Sequence, residues 1–98
     1  MIIWTKRGEK RLWECEHYIA LQCLDRLTVL NWHDRLLESI EHLGDFPESG
    51  SAVRELHHDD IRQVLVGDYR VIYRVKRRNV EILTIRHTSF LIKSLHSL

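Results

Sequence analysis

The sequence has one proline, four dispersed glycines and two cysteines in 98 residues. So little proline and glycine excludes collagen-like or low-complexity chains. No apolar run exceeds a few residues, so no segment is long enough to span a bilayer. Met1-Ile2-Ile3-Trp4 leads straight into Thr5-Lys6-Arg7, without the apolar core of a secretory leader. Charge of one sign is also missing. Fifteen Lys and Arg face fourteen Asp and Glu, a formal net charge of +1, which by itself does not suggest a nucleic-acid binder.

The cysteines, Cys15 and Cys23, fall in one stretch with helical patterning. Eight residues along a helix rise about 12 Å, too far for a disulfide in a straight helix. They read as core or half-buried thiols of a reducing, cytoplasmic setting. What is present is 44% hydrophobic and 30% charged sequence, enough for one small folded domain spanning 1–98.

The near-neutral charge conceals an asymmetry. Residues 1–50 carry six basic and nine acidic side chains, a net of −3. Residues 51–98 carry nine basic and five acidic, a net of +4. Arg70, Arg74, Lys76, Arg77 and Arg78 follow one another with no acid between them. They form either a solvated hairpin or a patch for phosphates or an acidic partner.

Ile2-Ile3-Trp4 reads as a short strand, with Thr5 placed to cap a helix. Leu12, Cys15 and Ile19 keep the helical period, which loses phase near Leu24 to Leu27. A second helix carries Leu30, His33, Leu36 or Leu37, Ile40 and Leu43 on one stripe, capped by Asp25 or Thr28 and stopped at Gly44 before Pro47. The period then changes to two over Ile61 to Val66, Arg70 to Lys76 and Val80 to Arg86. Gly67-Asp68 suits a tight turn, and Arg77-Arg78-Asn79 a slightly longer one.

The expected fold is α+β, β-α-α-β-β-β, a helical hairpin packed on one face of a small, mostly antiparallel sheet. Strict alternation puts Ile72 and Ile82 among arginines on the other face. That face then needs a cover, either the apolar tail (Phe90, Leu91, Ile92, Leu95, Leu98) or a partner.

No metal site or cofactor site is expected. His57-His58-Asp59-Asp60 reads as a polar loop, because consecutive residues cannot all point at one ion. The glycines form no phosphate loop, and no helix carries a zinc-protease histidine pair. Arg62, Arg70, Arg74, Arg86 and His87 remain. Arginine forks can hold phosphates and histidine can move a proton. The simpler reading pairs Arg70 with an acid and lets His87 hydrogen-bond a turn.

The ordered set Phe46-Pro47-Glu48-Ser49-Gly50, Glu55-Leu56, Ile61-Arg62, Gly67-Asp68-Tyr69-Arg70-Val71-Ile72-Tyr73-Arg74-Val75, Val80-Glu81-Ile82-Leu83 and Arg86-His87 resembles the RelE/ParE toxins of bacterial type II toxin–antitoxin pairs. Trp4, Leu12, Tyr18 and Ile19 fit the same pattern. The resemblance implies a cytoplasmic, growth-inhibiting protein, of the kind that serves plasmid stabilisation, neutralised by a cognate antitoxin. It implies contact with DNA only through that antitoxin, and no membrane.

Two activities follow from the resemblance. ParE-like members inhibit DNA gyrase without being enzymes. RelE-like members are ribosome-dependent endoribonucleases that cleave mRNA. Arg70 matches an arginine both branches share. The ribonuclease branch tends to have lysines where this chain has Ile61, Gln63, Val64 and Leu65. It often has a C-terminal arginine and tyrosine, and Thr88-Ser89-Phe90-Leu91-Ile92 supplies neither. The chain therefore leans to the ParE-like branch. The catalytic set of the ribonuclease alternative would be Arg62, Arg70, Arg86 and His87. The antitoxin- or target-binding set would be Arg70, Ile72, Arg74, Ile82, Arg86, Phe90 and Leu91. A third alternative is a degraded toxin that only binds its antitoxin.

Overall fold

The computed structural model describes residues 1–23, 25–95 and 98. The elements are β1 (Ile2–Trp4), α1 (Lys6–Cys23), α2 (Arg26–Asp45), β2 (Ser51–Ala52), β3 (Ile61–Val66), β4 (Tyr69–Lys76) and β5 (Asn79–His87). The expected α+β layout is what the chain adopts, with the two-residue strand β2 added. One five-stranded sheet runs β1-β5-β4-β3-β2. Only β1 runs parallel to its neighbour, β5; the other pairings are antiparallel.

Each helix starts where a side chain satisfies an otherwise orphaned amide. Thr5 Oγ1 accepts from Gly8 N at 3.0 Å and donates to Ile82 O at 2.7 Å, so one hydroxyl caps α1 and pins it to β5. Gly8 permits this approach, because a Cβ there would lie 2.5 Å from Ile82 O. Asp25 caps α2, accepting from Leu27 N at 3.0 Å and Thr28 Oγ1 at 2.7 Å. These bonds, the Thr28 hydroxyl first, hold its carboxyl below the usual range. Gly44 does not stop α2, which runs on to Asp45 and is closed by Phe46 N on His42 O. Leu24 lies outside the described residues, as does the side chain of Cys23 and the reading placed on it. Cys15 is buried and free.

The main core lies between the helices and the sheet. Ile19, Leu36, Ile40 and Leu43 meet Val71, Tyr73, Val80, Ile82 and Ile85. Burying one such side chain contributes about 1.5–3 kcal/mol. His33 Nδ1 meets Glu16 Oε1 across the hairpin.

A β-bulge changes which residues face this core. Ile72 pairs with Thr84, but Tyr73 pairs with Ile82, leaving Leu83 as the extra residue. An extra residue inverts the alternation on its strand. Ile82 therefore faces the helices, not the arginine-bearing face on which simple alternation placed it. Ile72 stays on that second face. There it forms a smaller core with Val53, Ile61 and Ile92, against which Leu56 and Leu98 pack. The chain's own tail thus covers the second face. The second hairpin is also tighter than expected: Lys76 pairs with Asn79, so only Arg77 and Arg78 form the turn.

Candidate functional site

The β4 side chains that face the tail, Arg70, Ile72 and Arg74, are the centre of the expected site, and the structure turns two of them inward. Ile72 is fully buried beneath Ile92. Arg70 is only 6% exposed. Its guanidinium donates to Glu55 Oε2 at 2.7 Å and Glu55 Oε1 at 3.2 Å, to Gln63 Oε1 at 3.0 Å and to Phe90 O at 2.5 Å. A buried charge requires such partners. Glu55 Oε2 also accepts from Ile92 N at 3.0 Å. Arg70 and Glu55 together hold the tail backbone at two points, Phe90 O and Ile92 N. The Arg70 hydrogen bond, with the Ile92 amide adding to it, holds the Glu55 carboxyl at about 2.

Arg86 stands opposite Arg70 on β5, with its guanidinium carbon 4.3 Å from the Phe90 ring centroid, a cation–π contact. Burial, and then the neighbouring Arg11, push its pKa down. Arg74 Nε lies 3.3 Å from Asp60 Oδ2, an ion pair without hydrogen-bond alignment. Phe90 and Leu91 keep 42% and 65% of their surface exposed. From the expected binding set, the free chain offers a partner Arg74, Arg86, Phe90 and Leu91. Ile72 and Ile82 have no exposed surface, and Arg70 is occupied.

Arg62 and His87 lie on the other face. Arg62 pairs with Tyr73, a residue of the helix-side core, and donates to Gly50 O at 3.0 Å and Glu48 O at 3.3 Å. His87 pairs with Tyr69, and their rings meet edge-on at 5.5 Å. Its Nδ1 lies 2.8 Å from Ser89 Oγ and accepts from Ser89 N at 3.1 Å. The simpler sequence reading of Arg70 and His87 is the arrangement found. Arg62, Arg70, Arg86 and His87 are divided between the two faces of the sheet and do not converge on one point.

The polar loop His57 to Asp60 is a turn, whose Asp60 O accepts from Val75 N at 2.8 Å. Among the described residues no group of three or more His, Cys, Asp or Glu is placed to hold a metal ion. No described helix is long and apolar enough to cross a membrane.

Sequence reasoning did not single out Glu55 as the partner of Arg70. The two are fifteen residues apart, in a loop and a strand, and no periodicity links them. The one available signal is the apolar setting of Arg70, since an arginine within a core strand demands an acid.

With the geometry in place, comparison identifies the lineage. The sequence profile of the ParE toxin of type II toxin–antitoxin system, parDE, matches residues 2–91. The chain belongs to the ParE toxin family. A solved structure of the chromosomal ParDE TA system from P. aeruginosa superposes with a TM-score of 0.71 at 16% identity. The match covers 88% of this chain and 92% of that one, so the two share the fold. No curated protein matches the sequence. ParE membership places the chain within a type II toxin–antitoxin system, which implies an antitoxin partner.

Proposed function

We propose that this ParE-family chain is a cytoplasmic toxin that inhibits DNA gyrase, is neutralised by its cognate antitoxin and cuts no RNA itself. The observation that carries this reading is the division of Arg62 and His87 from Arg70 and Arg86 across the sheet. Acid–base cleavage needs its groups within hydrogen-bond reach of one reacting phosphate. Here Arg70 is sealed by Glu55 and Phe90 O, and the sheet lies between it and His87. The lack of an arginine or tyrosine in Thr88 to Ile92 supports the same conclusion. Inhibition by binding requires only a complementary surface.

The test is purified chain added to gyrase at micromolar concentration. Supercoiling should stop, or cleaved DNA should accumulate, and added antitoxin should reverse the effect. Codon-positioned cuts in a translated message, seen by primer extension, would overturn the proposal in favour of a ribonuclease. Unimpaired growth after induction without antitoxin would instead identify a chain that retains only antitoxin binding.

A further inference from the structure

The arginine turn between β4 and β5 is used neither by the core nor by the tail clasp. It borders a cleft of about 730 Å³, bounded on the other side by the loop after α2 and lined in part by Asp45, Phe46, Glu48, Arg77 and Arg78. That volume lies in the usual range for small-ligand sites, roughly 300–1,000 Å³.

The turn is strained. Arg77 and Arg78 both have positive φ, 52° and 67°. A two-residue turn with both positions left-handed strongly favours Asn-Gly, because a side chain with a Cβ is disfavoured there. Arginine brings no local hydrogen bond to offset the cost. Neither guanidinium makes an ion pair with a described residue, and both side chains are exposed. Two cations are thus held at a costly turn without an ion-pair partner among the described residues. Strain of this kind is a pointer to function when other features converge on it.

Other features do converge. Across the cleft Phe46 is 58% exposed and is steadied by the His42 ring at 4.9 Å. Its loop is fastened to β4 from below: Tyr73 Oη donates to Pro47 O at 2.8 Å and accepts from Gly50 N at 3.0 Å. The two walls are therefore joined through one strand and keep their spacing. An aromatic face stacks a base, and paired guanidinium groups take a phosphate. Asp45 and Glu48, on the Phe46 side, are acceptors suited to the imino and amino donors of a base edge.

We propose that this cleft binds a nucleoside phosphate with a donor-rich base, guanine above all. The base lies on Phe46 with its edge toward Asp45 and Glu48, and the phosphate lies on Arg77 and Arg78. The same chemistry is offered by a free nucleotide and by a nucleotide within a single strand. The site is independent of which macromolecule the toxin inhibits.

The test uses the full chain at low salt with two probes, free GMP and a fluorescein-labelled eight-nucleotide single strand containing guanine, each compared with its adenine counterpart, and with a poly-glutamate peptide as a control anion. Three variants accompany it: Arg77→Asn with Arg78→Gly, Phe46→Ala, and Glu48→Gln. Wild type should bind at least one probe, and raised salt should weaken binding. The Asn-Gly variant should lose at least tenfold in affinity while its Tm rises, by roughly 4–8 °C for a domain this size. Higher stability with lower affinity cannot come from misfolding. Phe46→Ala should also weaken binding, and Glu48→Gln should narrow the preference for guanine over adenine. Equal affinity per nucleotide for both probes assigns the free nucleotide; binding of the strand alone assigns nucleic acid. No binding of either probe, undiminished binding by the Asn-Gly variant, or tighter binding of a poly-glutamate peptide than of either probe would each overturn the proposal.

Discussion

Glu55 and Arg70 close a two-point bridge, 2.7 and 3.2 Å, beneath the chain's own tail. The same two residues hold the tail backbone, Arg70 through Phe90 O and Glu55 through Ile92 N. The contact ties a loop, a strand and the C-terminal segment into one unit.

Removing either partner should cost far more than a surface ion pair. Glu55→Ala leaves a nearly buried guanidinium without its acid and is expected to destabilise the fold by about 3–5 kcal/mol. Arg70→Met keeps the volume without the charge and should cost less. Urea unfolding of the two variants measures the difference. Limited proteolysis should cut Glu55→Ala first after Phe90.

The bridge also predicts an acid limb of stability. Glu55 ionises at about 2 in the fold, against 4.5 for the free group. A depressed carboxylate pKa contributes stability that is complete above 4.5 and fades as pH falls toward 2. Solvent screens this partly exposed carboxylate, so the contribution is smaller than the shift alone implies, about 1–2 kcal/mol. Unfolding free energies of wild type and Glu55→Gln should therefore converge as pH drops from 5 to 2.

Gly8 is a point of close packing between α1 and β5. A methyl group there would stand 2.5 Å from the Ile82 carbonyl oxygen, and backbone cannot yield cheaply. Gly8→Ala should destabilise by about 1–3 kcal/mol, although alanine is the better helix former. Thermal melts of the two proteins decide the sign.

Cys15 should be chemically quiet. Burial raises its thiol above 9.0, with Arg11 opposing the shift only in part. The thiolate is the reactive form. In a Cys23→Ser background, Cys15 should react with a thiol reagent only slowly in native buffer and rapidly in denaturant.

The helical hairpin and the three long strands were legible because each rests on a periodicity within a few residues, whereas the apolar tail fitted either a cover for the second face or a surface for a partner until its packing on Ile72 was seen. Leu12, Cys15 and Ile19 mark a helix, and Val71, Tyr73 and Val75 mark a strand, whatever surrounds them. The site was less legible. Arg70 stands out in sequence as a cation, yet its buried state depends on Glu55 and the Phe90 carbonyl arriving from distant segments.

Ile82 illustrates the same limit. Its facing depends on one extra residue, Leu83, accommodated opposite Ile72 and Tyr73, and a bulge is a property of two paired strands. The order of the two helices and the longer strands, the ParE-family pattern and the charge asymmetry, −3 in the first half and +4 in the second, are all readable along the chain. Those are local or additive properties. Folding is what breaks the basic half into separate groups. It sends Arg70 and Arg86 under the tail, Arg62 toward the helix side, and Arg77 and Arg78 into a strained turn at a cleft. The reason is that a sheet has two faces and an end, and pairing register alone assigns each cation to one of them.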